Sequence, residues 1–288
     1  MSERDLIVVG VDGSDDGLRA VRYGAGIAML TGAELFLANA VDDTLMAGAW
    51  GVVYDPEALH EAGVTANEAA KQRALEIGLP EDRIRTEVIM GSPGGVLTRL
   101  SEVATLLVMG RRAASGLERM FVGSTSVAVV TSAACPVVVI SSAANPDEVG
   151  GKKLIGVAVN TNPGSSSTLE AGFQQAKLHA SKLDIVHVIQ PPVGFFGPKL
   201  SPEELEQQIR FAKGGIEALA APLAEQYPEV EYEIVVVADS PINEFVSRSS
   251  NYDLLVLGIT DSSIPGVQVG GLMRGLLAHA MCPLYVAA

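Results

Sequence analysis

Positive charge is scarce in this chain. Its 288 residues carry 34 acidic side chains against 20 lysines and arginines, a formal net charge of −14. Nucleic-acid backbones and anionic membranes are themselves polyanions, so neither is expected as the main partner. A mononucleotide stays open, since it needs only a local basic loop. Cysteine is nearly absent. Cys135 and Cys282 each precede a proline and an apolar run, which reads as two core thiols in a reducing compartment rather than a disulfide. The four histidines (His60, His179, His187, His279) show no metal-ligand spacing with one another or with cysteine, so no metal site is expected. No apolar run approaches the length that crosses a bilayer. The opening MSERDLIVVGVDGS lacks the charged-then-apolar layout of a secretion signal. These absences point to a soluble, cytoplasmic protein.

What the chain has in quantity is small aliphatic residues. Hydrophobic content is 48% with only 5% aromatic, a balance that suits parallel strands covered on both faces by helices. The order is also duplicated. LIVVGVDGS at Leu6–Ser14 returns as LIGVAVNTN at Leu154–Asn162, an offset of 148 residues. At that offset Asp12 falls on Asn160, Ser92-Pro93 on Ser240-Pro241, LLVMG ending at Gly110 on LLVLG ending at Gly258, and Gly123 on Gly271. One residue is then lost, and Cys135-Pro136 falls on Cys282-Pro283. A unit of this length is a whole domain, not a solenoid repeat. Domains are expected at residues 1–143 and 152–288, joined within the small, polar, glycine-rich stretch Ser141–Lys153.

Within the first half, Asp5–Val11 reads as a strand and Asp12-Gly13-Ser14 as a turn, with Ser14 the N-cap of a helix running to about Leu30. Leu35–Val41 is a second buried strand, followed by a loop from Asp42 to Pro56. Trp50 in that loop suits either a ligand cover or packing on its own domain. Glu57–Gly78 reads as a helix and Arg83–Met90 as a strand. Pro93 opens a short helix, and Ala104–Met109 and Pro136–Ser141 are two more strands. The stretch GSPGGV lacks the Gly-Lys-Ser/Thr ending of a Walker loop. This alternation predicts an open five-stranded parallel sheet of Rossmann-like type in each half. The second half has strands near Lys153–Val159, Leu183–Ile189, Glu231–Ala238, Asp253–Gly258 and Pro283–Ala287. In such sheets a ligand sits beyond the carboxyl ends of the strands. Asp12, Asn39–Val41 and Gly110 are therefore candidates to line one site.

The stretch Met109–Ser126, MGRRAASGLERMFVGSTS, is the strongest local candidate. It leaves a strand and ends in Gly-Ser-Thr-Ser where an apolar helix pattern begins, which would aim free N–H groups and hydroxyls at an anion. Gly110 and Gly123 would admit a ligand close to the backbone. Arg111, Arg112 and Arg119 face only Glu118, a local excess of two positive charges. The same features fit an ordinary strand–loop–helix connection with solvated arginines. Asp12 is likewise either a ligand contact or a turn residue capping the first helix.

Together these motifs resemble the universal stress protein family in its tandem two-domain form. The family's ATP-binding signature is Gly, two residues, Gly, nine residues, Gly, then Ser or Thr. It falls on Gly110, Ala113, Gly123 and Ser124. VDGS, the Gly-Ser-Pro after the third strand and the Cys-Pro before the last strand match as well. The resemblance implies ATP as cofactor, with Asp12 and the backbone of Gly10 and Val11 beside adenine and ribose. Ala40 would offer backbone atoms to the adenine edge, and Met109 and Gly110 would flank ribose and phosphates. Gly123, Ser124, Thr125 and Ser126 would hold the phosphates, with Mg²⁺ riding on them. The basic character of the loop itself, not the resemblance, adds Arg111 or Arg112 as a source of charge there. Ala113 departs from the pattern, which wants glycine: if that position needs φ > 0, alanine costs about 1 kcal/mol or more, and if only smallness is needed, alanine serves.

The second half departs further. Asn160, Asp261 and Leu272 stand where Asp12, Ala113 and Ser124 stand in the first. Asp261 would set a carboxylate against phosphates, and Leu272 removes a hydroxyl. That half is expected to be structural, pairing with the first as an intramolecular pseudo-dimer through the last strands, or joining a homodimer. The expected function is a nucleotide-binding stress or regulatory protein rather than an enzyme, with an adenine nucleotide as ligand and the protein partner unidentified. A slow ATPase or nucleotidyl transferase is a second reading. A third is an interaction module with both sites inactive.

Overall fold

The protein, described as a computed structural model, is covered at residues 5–42, 56–111, 124–141, 143–144, 151–190, 201–259 and 270–287. It divides into two units, residues 1–146 with Ala288, and residues 147–287. In the first unit β1 (Leu6–Val11), β2 (Glu34–Val41), β3 (Ile84–Met90), β4 (Leu106–Gly110) and β5 (Val137–Ile140) alternate, among the described residues, with four α-helices. These are α1 (Asp15–Thr31), α2 (Pro56–Glu76), α3 (Pro93–Ser101) and α4 (Ser124–Ser132). The strands lie in the order β3-β2-β1-β4-β5, all parallel. Order reverses between β1 and β4, where Gly10 is level with Met109, so the crevice beyond Val11 and Gly110 is the switch point.

Local chemistry sets the boundaries. Ser14 takes an extended backbone and its Oγ accepts from the Gly17 N–H at 3.1 Å, starting α1. Gly32, at φ 80°, ends it by returning its N–H to the Ala28 carbonyl at 3.0 Å. Ile7, Val8 and Val9 are all buried, as a strand covered on both faces requires. A Cβ on Gly24 of α1 would stand 2.6 Å from Val9 Cγ2, and one on Gly10 would stand 3.0 Å from Leu97 of α3. Helices α1 and α3 therefore cover opposite faces of β1. Strand β4 starts at Leu106 rather than at Ala104, because Thr105 is spent at the strand's mouth, its N–H and Oγ both donating to the Leu6 carbonyl.

The second unit repeats the plan. It contains β6 (Leu154–Ala158), α5 (Ser166–Leu178), β7 (Lys182–Ile189), α6 (Pro202–Gln226), β8 (Tyr232–Ala238), α7 (Pro241–Ser249), β9 (Leu254–Gly258), α8 (Gly271–His279) and β10 (Leu284–Ala287). Its parallel strands run β8-β7-β6-β9-β10, the first unit's order. The repeat holds at the level of contacts. Gly172 lies against Val157 as Gly24 lies against Val9. Asn39 Nδ2 donates to the Val11 carbonyl at 2.8 Å, and His187 Nδ1 lies 2.9 Å from the Val159 carbonyl, so one bridge is built twice with different side chains. Asp253 accepts from the N–H groups of Lys152 and Lys153, at 3.2 and 2.8 Å, where the chain enters β6. Both cysteines are free and buried, and burial pushes the Cys135 thiol up to about 11 and Cys282 up to about 12. Neither titrates near neutrality, as core thiols would not. Among the described residues no helix is long and apolar enough to cross a membrane.

Candidate functional site

The first unit gathers several of the sequence candidates at one crevice. Gly10 and Val11 end β1, and Asp12 follows, exposed. Met109 and Gly110 end the neighbouring strand β4, Met109 buried at 5% exposure. Strand β1 stops at Val11 opposite Asn39. Ala40 therefore runs one residue past its β1 neighbour while still pairing with Ile89 of β3, so its β1-side backbone edge borders the crevice.

Asp12 occupies the turn role. Its Oδ1 accepts from the Ser14 N–H at 3.0 Å and from Ser14 Oγ at 2.5 Å. Gly13 between them sits at φ 75°, a left-handed conformation that glycine adopts without strain. Gly17 leaves room for the carboxylate, since a Cβ there would stand 2.7 Å from Asp12 Oδ1. The Asp-Gly-Ser turn thus places an exposed carboxylate at the mouth of the crevice, with the start of α1 behind it.

Gly110 has a different role from the ligand approach expected of it. A Cβ there would stand 2.5 Å from Asp16 C and 2.6 Å from Gly17 N. What Gly110 admits is the first turn of α1. Arg111 also departs from a solvated loop arginine: it is 7% exposed, its N–H donates to the Ile140 carbonyl at 2.6 Å, and its charge acts on the carboxylate of Asp16. Asp16 is itself buried at 3% exposure and bonded to Arg19 Nη1 at 2.8 Å. Burial, the larger influence, holds its carboxyl above the ordinary range, while Arg19 and then Arg111 pull it back.

Of the phosphate stretch, Arg112, Ala113 and Gly123 lie outside the described residues, as do Trp50 and Arg119. Helix α4 spans Ser124–Ser132, so Ser124, Thr125 and Ser126 lie in its first turn. Thr125 is part-exposed there and Ser126 is 2% exposed, which leaves Thr125 the more accessible of the two. Asp16 and Arg19 went unsuspected in the sequence. The signal for them was present in the repeat, where Asp16 falls on Gly164, Arg19 on Ser167 and Arg111 on Ile259.

The matching turn of the second unit is rebuilt. Asn160 is exposed, and its N–H donates to Ser165 Oγ at 3.0 Å. A 3-10 turn at Pro163–Ser165 precedes α5, whose N-cap Ser165 makes no side-chain cap. Ile259 at the Arg111 position is 44% exposed. Leu272 is part-buried in the first turn of α8, and Asp261 lies outside the described residues.

The sequence profile of the universal stress protein family matches this chain twice, at residues 3–141 and 152–288. A universal stress protein of Mycobacterium tuberculosis, Rv2005c, is 28% identical over 98% of this chain and 96% of its own length. The crystal structure of a universal stress protein from Archaeoglobus fulgidus covers 98% of this chain and 96% of its own, with a TM-score of 0.70 at 18% identity, and so shares the fold. A universal stress protein solved in complex with cAMP is 28% identical and covers 49% of this chain and 99% of its own; at a TM-score of 0.38 that likeness carries nothing over to this chain. With both halves matched and the duplicated parallel sheet in place, the chain belongs to the universal stress protein family, in its tandem two-domain form.

Proposed function

We propose that the chain binds one adenine nucleotide, ATP with Mg²⁺, at the switch point of its amino-terminal unit and acts as a regulatory stress protein, not as a catalyst. What supports this reading is that the amino-terminal unit offers three groups matched in kind to a base, a ribose and phosphates. Ala40 offers a backbone edge past the end of β1, which suits the hydrogen-bonding edge of a base. Asp12 offers an exposed carboxylate, which suits ribose hydroxyls. Helix α4 has Ser124 in its first turn with Thr125 part-exposed, so N–H groups and the positive end of a helix dipole suit phosphate oxygens. Mg²⁺ on bound phosphates would supply charge neutralisation; the chain's own residues supply orientation and donors. The regulatory reading is supported by Asp12, whose Oδ1 is engaged by Ser14 in the helix-starting turn rather than held ready to accept a proton. The rebuilt turn at Asn160 supports a structural role for the second unit.

Calorimetric titration of ATP and Mg²⁺ into the full chain tests this. The expected result is one site per chain, weakened about tenfold, or ~1.4 kcal/mol, in Ser124→Ala/Thr125→Ala. Two sites per chain would overturn the structural role of the second unit. An absence of binding, by titration and in co-purified nucleotide, would leave an interaction module in its place. Turnover well above the uncatalysed rate would replace the regulatory reading with an enzymatic one.

A further inference from the structure

Helix α6 buries Ala212, Ile216 and Ala220 in the second unit. Its outer side is apolar as well. Phe211 is 81% exposed, and Gly214, Ala218, Ala221 and Pro222 are exposed in line with it, at the spacing of three and four that sets residues on one side of a helix. A single exposed phenylalanine is ordinary. The turn beside it is not. Glycine inside a helix is destabilising relative to most other residues, and α6 carries two in succession, Gly214 and Gly215, midway along its 25 residues. Nothing within the chain uses the room they leave, since a Cβ built on either meets no atom within 4 Å. By contrast, a Cβ on Gly24, Gly63 or Gly172, helical glycines that face strands, would stand 2.6 to 3.0 Å from a neighbouring side chain.

The charges beside this surface fit a copy of themselves. Arg210 is bound by Glu206 of its own helix at 2.7 Å. Lys213 and Glu217 are exposed on one flank of the apolar line and form no ion pair with each other or with another described residue. We infer that this side of α6 is the contact between two copies of the chain, their α6 helices crossing antiparallel about a twofold axis at Gly214–Gly215. Knob and gap then belong to one self-complementary surface. Phe211 of each copy sits over Ala218 of the other, the glycines let the two backbones approach, and Lys213 of each copy faces Glu217 of the other. Every contact is made twice, which closes the assembly at two chains. A parallel crossing would bring opposite flanks together, and the other flank, with Ala212 and Leu219, offers Lys213 no acid. Two chains of net charge −14 repel each other, and the reciprocal Lys–Glu contacts offset that repulsion where the surfaces meet. One helix pair buries less than the ~1,600 Å² of a standard interface, so the dimer is weak, with Kd on the order of 10–100 μM. The inference does not depend on nucleotide binding.

Sedimentation velocity of the full chain from about 1 to 500 μM tests it, with the wild type expected to pass from monomer to dimer over that range. Gly214→Gln puts a side chain into the open space and improves helix propensity. It should raise Kd about tenfold or more while the melting temperature of the monomer holds or rises, so that lost association is not lost folding. Lys213→Glu and Glu217→Lys should each weaken self-association by about tenfold, and an equal mixture of the two should restore it, because the mixed pair sets opposite charges at both contacts. A wild type that stays monomeric throughout overturns the inference. So does a dimer that Gly214→Gln leaves intact, which would put the contact on another surface. A mixture that fails to restore association overturns the antiparallel arrangement.

Discussion

His179 is a buried base without a visible reason to be charged. It is 7% exposed at the end of α5, and its Nε2 has no hydrogen-bond partner among the described residues. Burial holds its pKa below the ordinary 6.5; Asp253 opposes that shift and Lys153 adds to it. The unfolded chain therefore takes up a proton at a pH where the folded chain does not, so stability present above the ordinary value is lost as pH falls through and below it. The melting temperature should fall between about pH 7.5 and 5.5, and by less in His179→Gln, in parallel scans of both proteins. An equal fall in both would mean that other groups carry the pH dependence. Ser14 is the other residue with a defined local task, since it caps α1 and donates to Asp12. Ser14→Ala should cost about 1 kcal/mol in denaturant unfolding. Asp12 shows why its role stayed open in the sequence: Asp-Gly-Ser is both a good helix-starting turn and a good way to present a carboxylate, and the structure has it do the first while leaving it exposed for the second.

At the scale of elements, the tightest joint described in the first unit is that of α1 on the end of β4. The Cβ of Gly110→Ala would meet Asp16 and Gly17 backbone at 2.5 to 2.7 Å, and backbone cannot swing aside as a side-chain tip can. The substitution should cost about 1–3 kcal/mol by overpacking, read from urea midpoints. A loss below a few tenths would show that α1 can slide. Gly258 in the second unit is crowded differently, by the side chain of Thr168, within contact distance. The alternation of strand and helix was legible in the sequence almost residue by residue, because β-branched runs, Ser14, Gly32 and Pro93 are local signals. The purpose of Gly110 was not: glycine beside a phosphate stretch suggests ligand approach, and only the path of α1 shows what fills the space.

At the scale of the molecule, one plan is built twice, with the turn after the first strand made differently in each half. The bridge from β2 to the end of β1 is kept, by Asn39 in one half and His187 in the other. The turn that follows is not kept: Asp12-Gly13-Ser14 gives way to Asn160 and a Ser165 bond. A parallel sheet needs its strand ends tied, and the turn that follows starts its helix with a serine cap in the first half and without one in the second. The proposed single nucleotide per chain rests on that difference.

The sequence by itself determined the class of fold, the duplication and the family, since all three rest on short patterns that need no partner distant in the chain. It also placed Gly10, Val11, Asp12, Ala40, Met109 and Gly110 at strand ends, because strand boundaries and the rule for open parallel sheets suffice for that. Only the tertiary structure set the Asp16–Gly17 backbone against Gly110. These lie about ninety residues apart, and no local pattern distinguishes an acid in the first turn of a helix that faces water from one buried against another strand. Burial and partner are properties of the packed chain, and neither can be read from residue order.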